Sequence, residues 1–255
     1  MSNGNILDRR NALIYGGGGS IGGAIAVAFA TAGATVHLAG RRPEPLAGVA
    51  ETVKAAGGRA HTTRVDALEE REVNEFTASV ADVHGSVDIC IDVTGRNEVF
   101  GAPLVEMSLA DFERPVHDAV RSTFLTSTAA ARHMIPQKSG VILFFGGNGR
   151  PMADLGGFQT ALGAMEALRN TLACELGPHG IRVVTMQTNG VPEAIGSDES
   201  PETVKEITDF TESSTMLGRA ASLADVGNVA VFAASDLARC ITASAVNITA
   251  GAEVG

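Results

Sequence analysis

The chain has 255 residues, 45% of them hydrophobic, with a formal net charge of -10 and a pI near 5.0. A domain of that length buries roughly 75% of its unfolded surface, so a sizeable core is available. The acid excess excludes a nucleic-acid partner, which needs clustered cations to neutralise phosphates. No run approaches the ~20 apolar residues of a membrane-spanning helix, and MSNGNILDRRNALIYGG at the start holds no apolar stretch of signal-peptide length. Cys90, Cys174 and Cys240 each fall in an apolar run without CxxC spacing, which predicts buried free thiols and a cytoplasmic location. His37, His61, His84, His117, His133 and His179 never stand at ligand spacing, so no metal site is expected.

Short apolar runs alternate with helix-length segments along the chain. The first run, 11–16, leads into a turn in which five of the seven residues after Tyr15 are glycine. An apolar-faced helix follows over 21–32. Glycine allows positive φ and has no Cβ, so backbone N–H groups can approach a pyrophosphate, and the helix N-terminus adds partial positive charge. Gly17, Gly19 and Gly22 satisfy GxGxxG, a weak signal alone and a stronger one inside a β–α–β unit. The turn, with Gly16, Gly18, Ser20, Ile21 and Gly22, is expected to bind a dinucleotide. The second run, 35–40, ends in Gly40-Arg41-Arg42. A carboxylate there would hold ribose hydroxyls and repel a 2′-phosphate; Arg41 and Arg42 instead match phosphate in geometry and charge, so NADP(H) is the expected cofactor.

Runs at 60–65, 87–93, 140–145, 181–187 and 245–249 continue the rhythm, with helical segments at 44–56, 69–84, 109–135, 158–177 and 222–235. Several runs are continuous rather than alternating, as in strands buried on both faces. The repetition predicts a single α/β domain over 1–255, a doubly wound parallel sheet of about seven strands with helices on both faces. Only 191–217 breaks the pattern: it is acidic, polar and without a strong apolar run. Its place after the sixth strand puts it at the carboxyl edge of the sheet, where ligands bind, so it is expected to act as a lid over a small-molecule substrate.

These segments resemble the short-chain dehydrogenase/reductase family, whose fold is Rossmann-like. The family's TGxxxGxG lies over YGGGGSIG (15–22), with Tyr15 for Thr and Ser20 for the middle Gly. Its NNAG lies over DVTG (92–95), SGVILFFGG (139–147) resembles the strand ending in its catalytic serine, and LACELGPHGIRVVTM (172–186) and 217–251 resemble the rest of the core. The resemblance implies cofactor contacts at Asp66, Ala67, Thr94, Gly95 and Val191. It also implies a homo-oligomer, tetramer or dimer, through helices 109–135 and 158–177, whose small and apolar residues permit close packing.

The family's catalytic group is Asn, Ser, Tyr and Lys, and these fall on Ala119, Gly147, Phe158 and Leu162. The one tyrosine is Tyr15, and the lysines are Lys54, Lys138 and Lys205, so no Tyr–Lys pair can be built by shifting the alignment. Polar candidates nearby are Asn148, Arg150 and Asp154. His117 and Asp118 lie two and one residues before Ala119, about 200° and 100° around the helix from it, and are not expected on its pocket face. Three functions fit. The first is an atypical NADP(H)-dependent oxidoreductase acting on an iminium, enone, quinone or activated carbonyl. The second is a non-catalytic NADP(H)-binding protein or partner subunit, and the third a non-redox cyclase or lyase. Turnover at 340 nm separates them.

Overall fold

A computed structural model describes residues 5–146, 152–196 and 199–253. Seven strands form one sheet: β1 (Asn11–Tyr15), β2 (Thr35–Gly40), β3 (Arg59–Arg64), β4 (Ile89–Asp92), β5 (Gly140–Gly146), β6 (Ile181–Gln187) and β7 (Ser244–Asn247). Their order is β3-β2-β1-β4-β5-β6-β7, and every pairing is parallel. The helices are α1 (Ser20–Thr31), α2 (Pro43–Ala55), α3 (Glu70–His84), α4 (Leu109–Gln137), α5 (Phe158–Leu176), α6 (Pro201–Ser213) and α7 (Leu223–Ala234).

Alternation along each strand sends side chains to opposite faces. Leu13 and Tyr15 of β1 join Cys90, Phe144, Phe76, Met134 and Leu172 in a core beneath α3, α4 and α5. Ala12 and Ile14 join Leu38, Ile25, Phe29, Leu46 and Val226 in a second core beneath α1, α2 and α7. All five residues of β1 are buried, which explains its continuous apolar run. Burying each Leu, Ile or Phe contributes about 1.5–3 kcal/mol.

Two expectations need correction. Residues 201–213, inside the segment to which no helix was assigned, form α6. Ser200 caps it by accepting a hydrogen bond from the Thr203 N–H, and Pro201 occupies its first turn, a pairing of cap and pre-set φ that starts helices. Only Cys90 is a buried thiol; Cys174 and Cys240 are exposed. Cys174 lies on α5 beside buried Leu172, Ala173 and Leu176, on the stripe that the helical period turns outward. Three histidines distant in sequence also come together. Parallel register sets His37 opposite His61, and His84 at the end of α3 completes a cluster with ring centroids 4.5, 4.8 and 5.2 Å apart. His37 and His61 stack with planes 11° apart. Among the described residues no His, Cys, Asp and Glu group has the geometry to hold a metal ion.

Candidate cofactor cleft and substrate pocket

The sheet order reverses between β1 and β4, and the glycine turn sits at that switch point, where doubly wound sheets bind ligands. The N–H groups of Gly16 and Gly17 both donate to the Ala39 carbonyl, at 2.9 and 3.1 Å, and that of Gly19 donates to the Gly16 carbonyl at 3.0 Å. Gly16 has φ +78°, and a Cβ there would stand 2.7 Å from the Val93 carbonyl. A Cβ at Gly22 would stand 2.3 Å from the Gly16 oxygen, so the first turn of α1 is pressed onto the glycine turn. The N-cap of α1 is Gly19, which offers no side chain to the first-turn amides. Those amides are left to a ligand.

Gly16, Gly18, Arg41, Arg42, Asp66, Ala67, Thr94 and Gly95 line one cleft of about 480 Å³. The sequence-derived residues from four strand ends therefore converge. Arg41 and Arg42 are exposed and bond no partner among the described residues. The Asp66 carboxylate accepts from the Leu68 N–H at 3.1 Å, and its own N–H donates to Glu72 at 2.8 Å. The Thr94 hydroxyl and N–H both donate to Asp92, at 2.7 and 2.9 Å, so this residue presents its backbone to the cleft. Ser20 faces an adjoining groove between α1 and α7. Ile21 and Gly22 lie in the first turn of α1, and Val191 packs past the end of β6 in the second core.

Asp118 lines the same cleft, as does Asn97, contrary to the helical-wheel expectation. Ala119 is 0% exposed in the first core, so it faces the sheet rather than the pocket, and its neighbour one step around the helix faces the cleft. The Asn97 amide donates to Asp118 at 2.7 Å, and His117 Nδ1 lies 3.0 Å from the other carboxylate oxygen. Arg96 was also missed; its guanidinium donates to the Phe145 carbonyl at 2.8 Å, tying the loop after β4 to the end of β5. Nothing in the local pattern marks Arg96 or Asn97 beyond their place after the fourth strand.

Beyond the cleft the surroundings become apolar. Leu162 crowds the end of β5: a Cβ on Gly146 would meet its Cδ2 at 2.6 Å. Phe158, the first residue of α5, packs edge-on against Phe100, with centroids 5.6 Å apart and planes at 85°. The Asp154 carbonyl accepts from the Gly101 N–H at 2.8 Å, and Asp154 itself is exposed. Gly147, Asn148 and Arg150 lie outside the described residues. Tyr15 points into the first core, its hydroxyl 2.9 Å from Thr77 and its ring edge-on to Phe76 at 5.5 Å. Burial pushes its pKa well above that of a free phenol. Lys54 lies on α2 paired with Glu51, Lys138 caps the end of α4, and Lys205 lies on α6 paired with Asp209. None of the three lines the cleft.

Comparison with known proteins places this arrangement. Residues 17–253 match a family model described as enoyl-(acyl carrier protein) reductase. Secoisolariciresinol dehydrogenase of Forsythia intermedia is 30% identical, over 97% of this chain and 90% of that protein. The 3-oxoacyl-(acyl-carrier-protein) reductase of Aquifex aeolicus is 28% identical, over 96% and 98%. A solved 7α-hydroxysteroid dehydrogenase, complexed with NADH and 7-oxo glycochenodeoxycholic acid, has a TM-score of 0.84 at 28% identity, covering 98% of this chain and 97% of that one. The chain belongs to the short-chain dehydrogenase/reductase family of oxidoreductases. No helix among its described residues is long and apolar enough to cross a membrane.

Proposed function

We propose that the protein is an NADP(H)-dependent oxidoreductase that transfers hydride to or from a small organic substrate without the tyrosine–lysine acid usual in its family. One observation carries the reading: two guanidinium groups with no partner among the described residues stand beside a glycine turn with an uncapped helix behind it, while the start of α5 carries Phe158 and Leu162. The nicotinamide supplies the hydride chemistry when bound. First-turn amides of α1 would hold the pyrophosphate, Arg41 and Arg42 the 2′-phosphate, and Asp66 and Ala67 the adenine. With Tyr15 locked on Thr77 and no lysine among the residues lining the cleft, the tyrosine–lysine acid, a contribution of about 10²–10⁴-fold, is not supplied. The substrate therefore has to accept hydride without simultaneous protonation. We read α6 and its flanks as the lid, and α4 and α5 as the surface through which copies assemble in the cytoplasm.

The same buried tyrosine favours a second reading, a non-catalytic NADP(H)-binding protein or partner subunit. Turnover decides between them. With purified protein, NADPH and a panel of iminium ions, quinones, enones and ketones, loss of absorbance at 340 nm supports the enzyme. Enhanced NADPH fluorescence with no loss for any substrate supports the binding protein. Product formation without a change at 340 nm would instead indicate lyase or cyclase chemistry.

A further inference from the structure

We infer that α3 is a proton-operated clasp on the coenzyme cleft: protons entering the imidazole cluster at its C-terminal end loosen the helix, and with it the two supports that it gives to the cleft. The coupling to the cleft rests on the reading that a nicotinamide dinucleotide binds there; the opening of α3 does not.

α3 supports the cleft at two places. In its first turn the Glu72 carboxylate accepts from the Asp66 N–H at 2.8 Å and lies 3.7 Å from Arg64. The helix thereby holds the 66–68 segment, which lines the cleft. One turn further on, Phe76 packs edge-on against Tyr15 at 5.5 Å, and Thr77 bonds the Tyr15 hydroxyl at 2.9 Å. Tyr15 is the last residue of β1, directly before the glycine turn. A helix that opens as one cooperative unit shifts both supports.

The other end of α3 is held less firmly. A cavity of about 530 Å³ opens between α3 and β3, the strand at the edge of the sheet, and all three clustered histidines line it. The Asn11 amide donates to the Ser86 hydroxyl at 3.0 Å but reaches the His84 carbonyl only at 3.4 Å. These two bonds turn the Asn11 oxygen toward His37, whose Nε2 stands 3.2 Å away and so carries the hydrogen. His37 is 2% exposed. Its ring stacks on His61 from β3 and meets His84 from α3 edge-on.

No counter-charge awaits a second proton on His37. Asp88, behind Asn11, already accepts from the Asn11 N–H, the Ser86 hydroxyl and Arg10. Along the cavity Glu75 is paired with Arg71 at 2.9 Å, and Glu72 with Arg64. His61 is held down by burial first, then by His84 and by the Lys54 ammonium on α2. Burial, followed by His84 and His61, holds His37 at about 3. Lifting α3 admits water and returns His37 toward its ordinary 6.5. Between those values the open form takes up the proton and the closed form does not. Acid therefore multiplies the open population, about tenfold between pH 7.5 and 5.5 for this one group.

Hydrogen exchange of the full chain without coenzyme, corrected for intrinsic rates, reads that population. Amides of α3 should lose about tenfold in protection between pH 7.5 and 5.5, while those of α7 change less than about twofold. His37→Gln, or His37→Leu should the first variant not fold, should hold the α3 loss below about threefold. Unchanged α3 protection, an equal loss in the variant, or an equal loss in α7 overturns the clasp. Stopped-flow displacement of bound NADPH, followed by its fluorescence, tests the coupling. Release through the open form should quicken about tenfold at pH 5.5 in the wild type and less than about threefold in the variant. The 2′-phosphate, itself titrating near pH 6, affects both proteins equally. Acid opening of α3 without faster release overturns the coupling while leaving the coenzyme reading intact. Absence of NADPH binding at either pH is instead the failure of the coenzyme reading, and takes the coupling with it.

Discussion

Gly16 and Gly22 carry the geometry on which cofactor binding depends. A side chain at Gly16 meets both a positive φ and the Val93 backbone, and one at Gly22 meets the Gly16 carbonyl at 2.3 Å. Backbone atoms cannot retreat as a flexible side chain would. Gly22→Ala should therefore abolish detectable NADPH binding and lower the melting temperature by several degrees, as a cost of about 1–3 kcal/mol implies. Wild-type binding in that variant would show that the turn is not pressed against α1. Arg41 tests a different quantity. Removing a guanidinium that holds a phosphate costs about 1.5–3 kcal/mol. Arg41→Ala should thus weaken NADPH about tenfold or more and NADH hardly at all in fluorescence titrations. Equal losses for the two coenzymes would remove the argument for a 2′-phosphate.

At the level of elements, most of the fold was legible because strands buried on two faces and helices buried on one write different periods into the chain. The glycine turn, Arg41 and Arg42 could be gathered from sequence since they follow the first two strands, and Asp66, Thr94 and Gly95 from the family resemblance; they meet in one cleft because parallel strands end on the same edge. What could not be read has specific causes. α6 was missed because its stripe is thin, with Thr211 its one buried residue; the Ser200-Pro201 start was the available signal. Asp118 was misplaced because the wheel was anchored on Ala119 as a pocket residue, whereas Ala119 belongs to the core. The cap at α6 makes its own prediction. Ser200→Ala removes the hydrogen bond to Thr203 and about 1 kcal/mol of helix stability. Hydrogen exchange of α6 amides should then quicken about fivefold while those of β1 stay unchanged. Unaltered exchange in α6 would mean that packing, not the cap, holds the helix in place.

Across the whole molecule, charge and titration are distributed by the fold rather than by sequence neighbourhood. The histidine cluster joins β2, β3 and α3. Burial, followed by the neighbouring His84 and His61, holds His37 down at about 3 instead of 6.5. Burial, His84 and Lys54 lower His61 as well. A base depressed in the folded state favours folding fully above its unfolded pKa, and that contribution is lost as pH falls below 6.5. The urea midpoint should therefore drop between pH 7.5 and 5.5, and His37→Gln should flatten the drop. A midpoint constant or rising toward pH 5.5 would contradict this. The opposite end of the same sheet edge holds the central claim, that a phosphorylated dinucleotide is bound although the phenol and ammonium beside it are gone. Titration calorimetry of the folded protein tests it most directly: saturable heat with NADPH at one site per chain, and at least tenfold weaker binding of NADH, is the expected result. No heat with either coenzyme, in protein shown to be folded, would contradict the account at its root.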